Sequence, residues 1–151
     1  MIVIFHVEGK MSTFGGPHDT GMKPDEGLAL FDDEQDMKAH GLGDYLLSQA
    51  VAGAPGLGRR LNPAKYYLAC RWWDAGLSRK KVRSSWAWVE NPKTGKRHRA
   101  RPVDYGPAPY TGRVADLSPG LAQALALQTD DICRVILEEQ DAVPLADIGT
   151  V

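Results

Sequence analysis

Arg101-Pro102-Val103-Asp104-Tyr105-Gly106-Pro107, and soon after it Thr111-Gly112-Arg113-Val114-Ala115-Asp116-Leu117-Ser118-Pro119, decide how this chain folds. The first stretch ends a strand at Asp104 and the second holds a short apolar strand, Val114 to Leu117, and each soon meets Gly or Pro, where the backbone must change direction. The second closes on Ser118-Pro119, an N-cap Ser followed by a Pro at the first helical position, where its missing N–H is no loss. Leu121, Ala122, Leu125 and Ala126 then recur at helical spacing, which predicts a helix with one apolar face.

Working outward, residues 97–104 alternate as a strand. Residues 82–90 alternate too, with Val82, Ser84, Trp86, Trp88 and Glu90 on one face. Asn91-Pro92-Lys93-Thr94-Gly95-Lys96 between them is a turn by composition, so a hairpin is expected. Residues 65–73 are a dense aromatic and apolar run, read as a buried strand, and residues 131–138 as the last strand. The apolar start, residues 1–8, reads as a strand rather than a signal peptide, since it has neither a basic flank nor a cleavage site. Residues 8–27 have loop chemistry, residues 32–44 are acidic and weakly helical, residues 44–52 read as a short helix capped by Asp44, and residues 53–63 as a loop.

The expected organisation is therefore a single domain over residues 1–151. Residues 1–60 form a loop-rich N-terminal part with an acidic insertion, residues 61–139 the β core, and residues 140–151 a tail. A composition of 43% hydrophobic and 25% charged residues suits a globular domain, and no apolar run is long enough to span a membrane. Cys70 and Cys133 read as buried free thiols. His6, His18, His40 and His98 have no metal spacing, and no metal or cofactor is expected. Net charge is −1 but uneven: residues 71–101 hold ten Lys/Arg against two acids, and residues 19–44 hold eight acids against two Lys. Complementary surfaces within the fold or across an oligomer contact are the favoured explanation, and nucleic-acid binding through residues 79–101 is the least favoured function.

The run from Val89-Glu90-Asn91-Pro92-Lys93-Thr94-Gly95-Lys96 through the two opening stretches resembles the rare-lipoprotein-A double-psi β-barrel family, related to expansins and barrel endoglucanases. That family shows a strand ending in Thr-Asn, a Gly turn, a strand ending in Asp-Arg-Gly-Pro, and Gly-Arg-Ile-Ile-Asp-Leu-Ser opening a helix. Ser12-Thr13-Phe14-Gly15-Gly16 is similar to the family's small-residue opening. The resemblance spans about residues 86–137. It implies a mainly β fold: a six-stranded double-psi barrel with one marked helix, an irregular N-terminal extension and an open groove that takes glycan strands. Asp104 matches the Asp of Asp-Arg-Gly-Pro, and Asp116 the Asp that is similar to the general acid of the endoglucanase branch. The chain departs from the family in three places. Tyr66-Tyr67-Leu68-Ala69-Cys70-Arg71-Trp72 stands where the family has Thr-Ala-Ala-His, Tyr105 replaces the usual Arg, and Glu26 or Asp25 must serve as the upstream acid.

Glycosidic cleavage needs a proton donor and a group that stabilises positive charge at the anomeric carbon or activates a nucleophile. Asp104, Asp116 and Glu26 are the catalytic candidates. Tyr105, Trp72, Trp86, Trp88 and Arg113 are the candidate substrate contacts, because sugars stack on aromatic faces. Each has a competing structural role: Asp116 at a helix start, Asp104 in a turn, and the aromatics in the core. Two functions follow. One is lytic-transglycosylase-like cleavage of peptidoglycan, reached after cell lysis or on a phage virion or tail, since no signal peptide is seen. The other is a non-catalytic barrel that serves as a structural or wall-binding module of such an assembly, with other virion or tail proteins as partners.

Overall fold

A computed structural model describes residues 2–139. Six strands follow in chain order: β1 (Ile2–Thr13), β2 (Tyr67–Cys70), β3 (Trp86–Glu90), β4 (Arg97–Tyr105), β5 (Arg113–Leu117) and β6 (Ile132–Glu139). They close into a barrel whose neighbours run β1-β5-β2-β4-β3-β6, so the expected mainly β, six-stranded barrel forms. Pairs β1–β5 and β2–β4 are parallel; β1–β6, β2–β5, β3–β4 and β3–β6 are antiparallel.

Alternation fills the barrel. Met11, Ala87, Val89, Ala115, Leu117, Cys133, Val135 and Leu137 point inward and are fully buried. Both thiols are free and buried. All four residues of β2 are buried, which explains its unbroken apolar run. The expected hairpin is β3–β4. Its turn is pinned by Asn91, whose amide donates to the Leu125 carbonyl at 2.9 Å and whose Oδ1 accepts from the Lys93 N–H at 3.0 Å.

Four short helices occur among the described residues: α1 (Glu34–Ala39), α2 (Leu57–Arg60), α3 (Arg79–Arg83) and α4 (Pro119–Ala124). The longest have six residues, so α4 does not stand out by length. It does start as expected, with Ser118 Oγ accepting from the Leu121 N–H at 3.1 Å.

Three local expectations fail. Residues 44–52 form no α-helix, because their backbone pairs elsewhere: Leu47 N–H donates to Arg60 and Tyr45 accepts from Asn62. Residues 79–83 are helical rather than part of a strand, capped by Ser78, so Val82 does not share the face of Trp86 and Trp88. The first strand continues to Thr13 through residues that look like a loop, because β5 and β6 supply partners on both sides. Gly9 permits this: a Cβ there would lie 2.6 Å from Val114 Cγ1.

The uneven charge is absorbed internally in part. Asp32 and Asp36 meet Arg79, Asp36 also meets Arg83, and Glu34 joins Arg60 and Lys38. Among the described residues, no helix is long and apolar enough to cross a membrane. The expected tail, residues 140–151, lies outside the described residues.

Candidate active site

Ala69 on β2 pairs with Asp116 on β5 at one side and with Asp104 on β4 at the other, and Asp116 in turn pairs with Ser12 on β1. The two aspartates therefore lie in one row across three strands, with Cα atoms about 10 Å apart at the usual strand spacing. The residue between them has only a methyl group.

This row opens into a groove of about 300 Å³ lined by Glu26, Asp104, Tyr105, Arg113 and Asp116, together with Asp19 and residues of the 13–22 and 106–111 loops. The structure thus brings together all three catalytic candidates and two of the expected substrate contacts.

Burial pushes Asp104 up to about 6, against two N–H donors that oppose the shift and with the charge of Glu26 reinforcing it. Both donors, Ala29 N–H at 2.8 Å and Tyr105 N–H at 2.9 Å, go to Oδ1, which leaves Oδ2 to carry a proton. Burial likewise pushes Asp116 up to about 6; Arg113 opposes this, and Asp104 and Asp19 add to it. Among the described residues no hydrogen bond reaches the Asp116 carboxylate. The helix-start role does not apply to it, because Ser118 already caps α4.

Arg113 faces the groove but its guanidinium is turned to Asp130, at 2.9 Å through Nε. Glu26 is exposed and accepts from the Lys23 N–H at 3.2 Å. Asp19 holds the Gly15 and Gly21 N–H groups at 2.7 and 2.9 Å, which ties the 15–21 loop around it.

The aromatics divide. Trp72 is buried beneath the groove, donating Nε1–H to the Asp104 carbonyl at 3.1 Å and meeting Tyr105 edge-on. It supports the site from behind. Tyr105 is exposed at the rim and donates its hydroxyl to Asp74. Trp86 and Trp88 do not line the groove; they lie on the outer face of β3, stacked with arginines.

Two further rings are exposed on segments that adjoin lining residues: Trp73, at the end of the aromatic run, is 66% exposed just after β2, and Tyr110 is 92% exposed between the lining residues Ala108 and Thr111. Sequence reasoning missed Tyr110 and Arg71. Arg71 donates to the carbonyls of Pro107 and Arg113 at 2.8 and 2.7 Å, holding the 106–111 wall in place. The density of aromatics after residue 65 marked the neighbourhood, but not which rings face outward.

Among the described residues, no three His, Cys, Asp or Glu side chains converge closely enough to hold a metal ion. No protein-family model matches the chain, and no curated protein matches it.

Proposed function

We propose that the chain is a double-psi barrel of the rare-lipoprotein-A kind and that its groove cleaves glycan strands of peptidoglycan as a lytic transglycosylase. The observation that carries this reading is the pair of desolvated carboxyls, Asp104 and Asp116, in one open groove. Near pH 6 such a pair holds about one proton between them. Asp104 is the proton donor: Oδ1 is fixed by two backbone N–H groups, and Oδ2 gives its proton to the glycosidic oxygen. Ionised Asp116 stabilises the positive charge that develops at the anomeric carbon. The sugar's own 6-hydroxyl attacks that carbon and returns its proton to Asp104, leaving a 1,6-anhydro end. Burial keeps the Asp104 proton, and the charge of Glu26 at the exposed edge adds a small part to this. Tyr105 offers aromatic surface at the rim for a sugar ring, and the exposed Trp73 and Tyr110 on adjoining segments would extend it. The two parallel pairs, each between strands that are not consecutive in the chain, fit the double-psi topology. The protein reaches the wall after lysis or as part of a phage virion or tail.

The test is mass spectrometry of muropeptides released from purified sacculi. Anhydro ends from the wild type, absent with Asp104→Asn, support the enzyme. Co-sedimentation with sacculi and no soluble product from the wild type replaces it with a wall-binding module.

A further inference from the structure

The β3–β4 hairpin carries a second feature, separate from the groove. Arg97 lies 4.3 Å from the centre of the Trp88 ring, and Arg99 lies 5.0 Å from Trp88 and 5.1 Å from Trp86. Arg101 lies 4.7 Å from Trp86. The result is an alternating stack, Arg97–Trp88–Arg99–Trp86–Arg101, on the outer face of the barrel. Arg101 is its buried foot, 7% exposed and donating to the Arg83 carbonyl. Arg97 is exposed and Arg99 half-buried.

Neither Arg97 nor Arg99 makes a side-chain hydrogen bond or ion pair among the described residues, although Arg79 and Arg83 nearby are matched by the acidic insertion. Their guanidinium planes are fixed by the indoles while their N–H edges remain unspent. That arrangement suits bidentate recognition of phosphate, with little rotamer freedom left to lose. Exposed Lys93 and Lys96 extend the positive strip to the hairpin tip. Arg97 and Arg99 are two residues apart on one strand face, about 6.7 Å, comparable to one extended phosphodiester repeat.

We infer that this strip binds a flexible, base-free phosphodiester polymer of the poly(glycerol phosphate) type. Two observations favour it over nucleic acid. Each indole is flanked by two guanidinium groups, which leaves no aromatic platform for bases. The strip is also narrow. Glu90 stands on β3 directly opposite Arg97, where Arg134 ties it to Glu8, and Glu138 on β6 lies opposite Trp86. A broad duplex would meet those carboxylates, whereas a single chain can follow β4 alongside them.

The experiment titrates the full chain with a synthetic glycerol-phosphate oligomer, with oligo-dT and with inorganic phosphate, following tryptophan fluorescence at several salt concentrations. The oligomer binds, more tightly than oligo-dT, and weakens with salt. The Arg97→Gln/Arg99→Gln variant lowers the slope of log affinity against log salt by about 0.7 for each phosphate no longer neutralised. Lys93→Gln/Lys96→Gln, in the exposed turn outside the stack, lowers it too and serves as the readout should the arginine variant fail to fold. No binding of the oligomer, or binding unchanged in the lysine variant and in a folded arginine variant, overturns the inference. Equal or tighter binding of oligo-dT overturns it in favour of a nucleic-acid ligand.

Discussion

Asp104 and Asp116 are held ionised at neutral pH in surroundings that disfavour the charge, and this sets a sign that can be measured. A carboxyl raised from its ordinary 3.8 to about 6 destabilises the fold fully above the higher value and not at all below the lower one. For one group alone the effect is on the order of 2–3 kcal/mol. Asp104→Asn keeps an oxygen to accept from Ala29 and Tyr105. It is therefore expected to raise Tm at pH 8, to leave it nearly unchanged at pH 4, and to lower muropeptide release by about 10²–10⁴-fold. A Tm gain with activity intact separates the electrostatic account from the catalytic one. The resemblance carried by their flanking motifs singled out these two residues, while the turn after Asp104 and the helix start after Asp116 argued for structural roles instead. His18-Asp19 was legible only as a loop pair that could assist a site; the contacts that place Asp19 are to the Gly15 and Gly21 N–H groups, which only the folded loop presents. Trp86 and Trp88 were legible as a pair on one face. Which face they occupied depended on the hairpin register, which sets Trp88 opposite Arg99.

Elements succeed or fail by their partners. Helix α4 was readable because its signal is local: Ser118, Pro119 and the spacing of Leu121 and Leu125. Ser118 is fully buried and its hydroxyl serves the Leu121 N–H, so Ser118→Ala should lower stability by about 1–2 kcal/mol in urea unfolding. Strand β1 was only half readable, since Gly9, Ser12 and Thr13 have loop chemistry and become strand through β5 and β6. The close approach at Gly9 makes a coupled prediction. Gly9→Ala should destabilise by about 1–3 kcal/mol, and Val114→Ala in the same chain should recover part of that loss. Additive effects in the double-mutant cycle would place the strain elsewhere. Arg71 links the Pro107 carbonyl in the groove-wall loop to the Arg113 carbonyl at the start of β5. Its replacement by Ala should raise KM for glycan strands more than it lowers kcat.

At the level of the whole molecule, opposing titrations shape stability. Asp36 is held below its ordinary value, first by the Asp32 N–H and then by Arg83 and Arg79, so its contribution is present above pH 4 and lost as pH falls through its folded pKa. The groove pair acts in the other direction, its cost growing from about pH 4 and complete above about 6. Stability should therefore peak near pH 4, fall until about pH 6 and level off, and an Asp104→Asn/Asp116→Asn variant should remove that fall in a pH series of chemical unfolding. A profile that rises steadily to pH 8 in the wild type contradicts this. Strand number and the hairpin were legible at this scale; strand order was not. Parallel pairing of β1 with β5 and of β2 with β4 arises from connections that cross, and no local residue pattern encodes a crossing.

The pairing of β1 with β6 along eight register positions, from Ile2 opposite Glu139 to Lys10 opposite Ile132, also governs how the barrel is made. During synthesis β1 emerges first and waits, both edges bare, until β5 and β6 have left the ribosome. Closure therefore demands contacts between residues more than a hundred positions apart, a topology that folds slowly. Through that interval an apolar strand stands open to any other strand it meets, so chaperone demand should fall on the nascent chain rather than on the finished barrel.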